Sequence, residues 1–229
     1  MIWDSVPWKG DLLRVADSLE RRTSQRRWSE RTAFLIERDV MNGAYAVRKL
    51  VEARKISDEL AAETVTAREH LLVGRPVDIW NRDKFYKYYD MEHPQPVELP
   101  LADFCNQVIH SWVWMLSGAE EPPHLFNGIY VSSDRKRKSR VYFFAADVLV
   151  RVFRAVAHDD IVSSVMQRDS NGDMHIVKAS RELPLDLAIP DDVLRMLPPA
   201  ETQAQGRLLR RDDAIPTMME SRQRADHPG

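Results

Sequence analysis

Cysteine is almost absent from this chain. Cys105 is the only one in 229 residues, so no disulfide can close within it. Secreted domains of this size usually carry bridges, so the expected compartment is the reducing cytoplasm. Glycine is also scarce, with 8 residues. That leaves little from which to build a phosphate-cradling loop, and neither a Gly-x-Ser-x-Gly elbow nor a kinase pattern occurs. Long apolar runs are missing. The richest stretch, Val108 to Leu116, is broken by His110 and Ser111 and falls short of the ~18 residues of a membrane helix. Asp4, Lys9 and Asp11 interrupt any signal-peptide pattern at the start. No membrane partner is therefore expected. An excess of one charge is lacking too: 33 Lys and Arg face 35 Asp and Glu, a net charge of −2. Bulk attraction to polyanions is excluded, and only a local basic patch could serve. The seven histidines are scattered, with no Cys pair and no His-Glu-x-x-His helix, so no metal or other cofactor is expected.

What is present suits a globular protein. Hydrophobic residues make up 44% and charged residues 30%, enough apolar material for a core. Residues 9–70 read as helical. Asp11 is a candidate N-cap for Leu12, Val15, Ala16 and Leu19 at helical spacing. A second start falls at Ser29, after which Ala33, Ile36, Val40, Ala44, Val47 and Val51 share one face. Ser57 opens a shorter alanine-rich helix expected to reach about Arg68.

Residues 71–126 are mixed. His70 to Trp80 reads as strand or irregular around Gly74 and Pro76. Asn81 to Tyr89 sets four aromatics among charges. Pro94, Pro96 and Pro100 force an extended connection, and a helix is expected from Leu101 to Met115. Residues 127–180 then read β-β-α-β-β: a hairpin from Gly128–Ser133 and Arg140–Phe144, a helix over Ala145–His158, and a second hairpin turning at Asn171-Gly172. A short helix is expected over 190–197 and a mobile tail over 198–229. The fold class is α+β: one domain over 1–197, its helical N-terminal half packed on a small antiparallel sheet from the C-terminal half.

Two places carry possible chemistry. Arg135-Lys136-Arg137-Lys138-Ser139-Arg140 sets five cations in six residues at the first hairpin's tip. Counterion release could make it a clamp for the RNA or DNA backbone, with Tyr130 and Tyr142 as stacking platforms. A solvated turn that blunts a sheet edge is the plainer reading. The other place is Cys105-Asn106-Gln107-Val108-Ile109-His110, where Asn106 and His110 stand four apart on the expected helix. A histidine is an acid or base near neutral pH, and an amide orients a phosphate or water. This fragment resembles the later part of the motif of HEPN-type helical ribonucleases, which carry Arg, often then Asn, with a His a few residues on. The resemblance implies metal-independent RNA cleavage at Asn106 and His110. Cys105 stands where that family has arginine, so the cation would come from elsewhere. Cys105 and His110 themselves point ~140° apart on a helix and do not pair. Asp169, Asn171 and Asp173 begin like a calcium loop, but the glycine is misplaced and Ser180 holds the twelfth position; a hairpin turn accounts for them. The preferred expectation is a non-catalytic interaction protein, touching nucleic acid at 135–140 and a protein partner through the tail.

Overall fold

The computed structural model describes residues 2–119 and 125–183. The chain divides into two units, Met1–Leu183 and Pro184–Gly229, and every described residue belongs to the first. The helix expected over 190–197 and the tail over 198–229 lie outside the described residues. No helix among those described is long and apolar enough to cross a membrane.

The fold is α+β. Helix α1 spans Val6–Arg22, with Pro7 in its first turn, where a missing N–H costs nothing. It thus begins ahead of Asp11, which lies inside the helix. Helix α2 spans Glu30–Glu52, and the Ser29 hydroxyl accepts from the Thr32 N–H at 3.2 Å, as its sequence anticipates. Ile36, Val40, Ala44 and Val47 are fully buried. Gly43 lets α2 approach the last long helix closely: a Cβ there would stand 2.6 Å from the Phe153 ring.

Ser57 caps α3, but this helix covers only Asp58–Ala61. Strand β1, Thr64–Leu71, follows where a helix to Arg68 was expected. Thr64, Val65 and Thr66 supply β-branched or polar residues that sit well on a pleated surface, and Val65 and Ala67 alternate into the core. A turn of 3₁₀ helix, Arg82–Lys87, interrupts the long connection to β2, Gln95–Pro100. Of the prolines that predicted an extended connection, Pro96 and Pro100 sit in this edge strand, where no N–H is demanded of them, and Pro94 stands just before it. Helix α4 is Leu101–Ile109, and β3 is Ser111–Gly118. The expected helix to Met115 is therefore too long: Trp112, Val113, Trp114 and Met115 form a strand. Then come β4 (Phe126–Ser133), β5 (Arg140–Ala145) and α5 (Ala146–Ala157), close to the predicted hairpin and helix.

These strands make an antiparallel sheet in the order β2-β1-β5-β4-β3. Three of its five strands therefore precede residue 119, and the C-terminal half does not build it alone. The second predicted hairpin, β6 (Ser163–Arg168) with β7 (Met174–Ser180), forms a separate two-stranded sheet. Arg54 donates to the Ile176 and Val177 carbonyls, and Asp58 accepts from the Ala179 N–H, tying this hairpin to the end of α2 and to α3.

The helices cover one face of the main sheet. Leu12, Ile36, Val40, Phe104, Phe144 and Phe153 form the centre of that core, with Phe104 and Phe144 edge to face at 5.0 Å between centroids. The opposite face carries a smaller core. There Val113, Val141 and Tyr130 are roofed by Val77, Phe85 and Tyr89 from the β1–β2 connection.

Candidate nucleic-acid interface

The roof over the second face is stitched to β1 and to the β4–β5 tip by hydrogen bonds. The Leu72 N–H donates to the Ser139 carbonyl at 2.8 Å, and the Asp90 N–H to the Leu71 carbonyl at 2.8 Å. The Tyr89 hydroxyl donates to the Arg137 carbonyl at 2.7 Å. Burial pushes this phenol up to about 12, so it remains a donor at any physiological pH.

Arg137 is the pin between tip and roof. Its Nη1 donates to the Val77 carbonyl, its Nε to Asp134 at 2.8 Å, and its guanidinium lies 4.6 Å from the Trp112 ring centroid. Its side chain is only 16% exposed. Arg140 is also engaged, donating to Glu69 on the neighbouring strand at 2.5 Å. The five-cation run thus splits. Arg137 and Arg140 serve the fold, while Arg135, Lys136 and Lys138 are exposed and make no ion pair among the described residues.

Neither tyrosine expected to stack on bases is free to do so. Tyr142 is 2% exposed on the helix-covered face. Tyr130 is half-buried, with Phe143 at 5.0 Å, Phe85 at 5.3 Å and His70 at 5.6 Å between ring centroids. Both fail for the same reason: each faces across its sheet into one of the two cores. The exposed aromatics lie on the roof. Trp80 is 90% exposed and Tyr86 is 52% exposed. Trp80 follows Val77, the residue pinned by Arg137, by three positions. A tight turn fixes it there: its N–H donates to Asp78 at 2.9 Å, and the Asp78 N–H donates to the Asn81 side chain at 2.8 Å. Arg75, Arg82, Lys84 and Lys87 on the same roof are exposed. The aromatic-and-charge mixture from Asn81 to Tyr89 was the available sequence signal, although Trp80 itself stands just before it.

His70 lies beneath this roof, 3% exposed. Its Nδ1 meets the Asp90 carbonyl at 2.9 Å. A carbonyl only accepts, so Nδ1 carries the proton, and Nε2 is left buried without a partner. Burial and the Arg68 charge hold its pKa below the ordinary 6.5. The unfolded chain therefore binds a proton that the folded chain resists. The stabilisation is complete above about pH 6.5 and is lost as pH falls below it toward the folded-state value. The melting temperature should thus drop more steeply below pH 6.5 in the wild type than in His70→Asn. Asparagine keeps a donor for the Asp90 carbonyl and does not titrate. Parallel slopes in a thermal-melt series from pH 8 to pH 5 would contradict this assignment.

The second candidate site is arranged differently from its sequence reading. Asn106 is on α4, but His110 is the residue after the helix, at φ −105° and ψ 26°, exposed, with β3 starting immediately beyond. A cation does reach Asn106: Arg48 of α2 donates to its side-chain oxygen at 2.5 Å. The same guanidinium also donates to Glu52 at 2.6 Å, which balances its charge. No described side chain hydrogen-bonds His110. Cys105 is fully buried, and burial pushes its thiol up to about 12, so it supplies no thiolate.

The Asp169–Asp173 turn is the hairpin turn its sequence predicts. Gly172 has φ +87°, and one Asp169 oxygen accepts from the N–H groups of Asn171 at 2.8 Å and Asp173 at 2.9 Å. Those backbone bonds, Asp173 first, hold the Asp169 carboxyl below its usual range. Asp169, Asp173 and His175 bring ligand atoms within 4.8 Å of one another. All three are exposed, and the Asp169 carboxylate is already committed to the turn.

Comparison of the chain with protein-family models, curated proteins and solved structures finds no match.

Proposed function

We propose that this chain is a non-catalytic interaction protein that binds single-stranded nucleic acid on the surface shared by the β4–β5 tip and the roof of the second core. One observation carries the reading: half-buried Arg137 fastens the tip to the backbone of Val77, three residues from an almost fully exposed tryptophan. Three free cations thereby share a surface element with Trp80, Tyr86 and four more exposed cations. Single-strand binders use this combination, because cations track the phosphates while aromatic faces stack on any base. A near-neutral chain can do so only through such a local patch. The reducing cytoplasm remains the proposed compartment, from the single cysteine.

Fluorescence anisotropy with single-stranded and duplex RNA and DNA at two salt concentrations tests the proposal. Single strands should bind more tightly than duplexes, with strong salt dependence. Replacing Arg135, Lys136 and Lys138 together by Ser should lower the log–log salt slope by ~2, at ~0.7 per lost single-strand phosphate contact. Trp80→Ala should cost about 1–3 kcal/mol of binding. Both variants should melt like the wild type, because these side chains are exposed. Arg137→Ser should instead lower the melting temperature, since it unpins the roof. A folded wild type that binds no strand at low salt overturns the reading.

The ribonuclease alternative would use Arg48 as the cation that Cys105 does not supply. It has less support, because Glu52 already balances that cation and the Asn106 oxygen is taken by it.

A further inference from the structure

The main sheet has two edges, and they are built differently. Edge strand β2 carries Pro96, Glu98 and Pro100 within its six residues. Prolines and charges are the ordinary protection against another strand adding on. Edge strand β3 reads Ser-Trp-Val-Trp-Met-Leu-Ser-Gly, eight residues with no charge and no proline. Its register shifts lie at its ends, between Ser111 and Val113 and between Ser117 and Gly118, so its middle is regular. Among the described residues its outer edge has no strand partner. Beside it runs an open groove of about 680 Å³ lined by Trp28, Ala33, Trp114 and Leu116, with Arg26 and Glu37 also on its walls.

Those two charges decide what fits. Both are exposed, and neither makes an ion pair among the described residues. Their order along β3 follows from the packing. Trp28 lies 6.2 Å from Phe126, the strand partner of Gly118, so the Arg26 end of the groove is at the C-terminal end of β3. Helix α2 then runs toward Arg48, which is bonded to Asn106 in the helix leading into Ser111. Glu37 therefore lies further toward the N-terminal end of β3. A two-fold axis across β3 reverses the strand. It pairs an uncharged strand with itself and carries Arg26 of each copy to the Glu37 end of the other. Isologous contacts of this kind are self-complementary by construction.

We infer that β3 is a dimerisation edge, where a second copy of this chain adds antiparallel to form one continuous sheet across the two-fold. Trp114 and Leu116, half-buried in the single chain, complete their burial against the second copy, and the opposite charges at the groove's two ends fix the register.

Sedimentation equilibrium of the full chain, over a concentration series, tests this. The wild type should be a dimer. Leu116→Lys should abolish dimerisation by setting a charge into the new seam. Arg26→Glu or Glu37→Arg should each raise the dimer dissociation constant about tenfold or more, since each change makes two symmetric contacts repulsive. The double variant R26E/E37R restores opposite charges across the axis and should recover the dimer. Circular dichroism confirms that each variant is folded, and the two exposed charge variants keep the test open if Leu116→Lys fails to fold. A wild type that stays monomeric at all concentrations overturns the inference. So does a dimer indifferent to the charge reversals.

Discussion

Val40→Asp is expected to destabilise the protein by about 4 kcal/mol or more, enough to leave a marginal domain largely unfolded. Val40 is fully buried, as are Ile36 and Val47 on the same stripe of α2. An aspartate there would bring a carboxylate into the apolar centre among Leu12, Phe104 and Phe153. The adjacent residue shows what a tolerated buried carboxylate requires. Asp39 is only 6% exposed, yet it accepts from the Ser18 hydroxyl at 2.8 Å and from Arg38 at 2.7 and 3.0 Å. Position 40 points away from that rim and has no such donors. Thermal unfolding checks this: at ~2–4 °C per kcal/mol for a domain of this size, the melting temperature should fall by about 10 °C or more. An unchanged transition would mean that the buried face of α2 is wrongly assigned.

That face was legible from sequence because α2 is long. Over 23 residues, a helical period separates cleanly from its alternatives, and Ser29 marks the start through a purely local bond. The same holds for the 12-residue α5. The strands at 64–71 and 111–118 were not legible, and their failures share a cause. Val108, Ile109, Trp112 and Met115 satisfy helical spacing, yet Val113 and Met115 on one side and Trp114 and Leu116 on the other satisfy strand alternation equally well. What decides is β4, whose residues 126–133 pair with this stretch. Likewise β1 is held between β2 and β5, strands that begin some 24 and 69 residues downstream of Leu71. Local propensity does not contain that information.

The candidate site was half legible for the same reason. Five cations at a hairpin tip can be seen in any reading of residues 135–140. That Arg137 is a pin cannot, because its partners Val77 and Trp112 lie 60 and 25 positions away. Nor does spacing show that Arg48, 58 positions before Asn106, donates to its side-chain oxygen. An exposed Trp80 is not legible in the sequence, because a large aromatic is ordinarily assigned to a core. Here the core beneath it is already filled by Val77 and Phe85.

Asp159→Ala should produce the second large effect, about 3–5 kcal/mol, through loss of a buried charged acceptor. The Asp159 side chain is fully buried at the end of α5. One oxygen accepts from the Ser57 N–H at 2.6 Å. The other accepts from the Ser57 hydroxyl at 2.7 Å and from Arg181 Nε at 2.5 Å. Its backbone carbonyl accepts from Lys9 Nζ. One residue thus joins α1, the cap of α3 and the chain beyond β7. Alanine would strand the Ser57 N–H in a dry site, and an unsatisfied buried donor costs more than a bond contributes. Asp159→Asn should fall between, since it keeps one oxygen but turns an N–H₂ toward a donor. Chemical unfolding of Asp159→Ala, Ser57→Ala and the double variant measures the coupling. Because Ser57 both donates to Asp159 and accepts from the Leu60 N–H at 3.2 Å, the two losses overlap. The double variant should cost less than the two single variants together, by about 1–2 kcal/mol. Strict additivity would mean that Asp159 and Ser57 stabilise the fold independently, and the hub would dissolve into separate contacts.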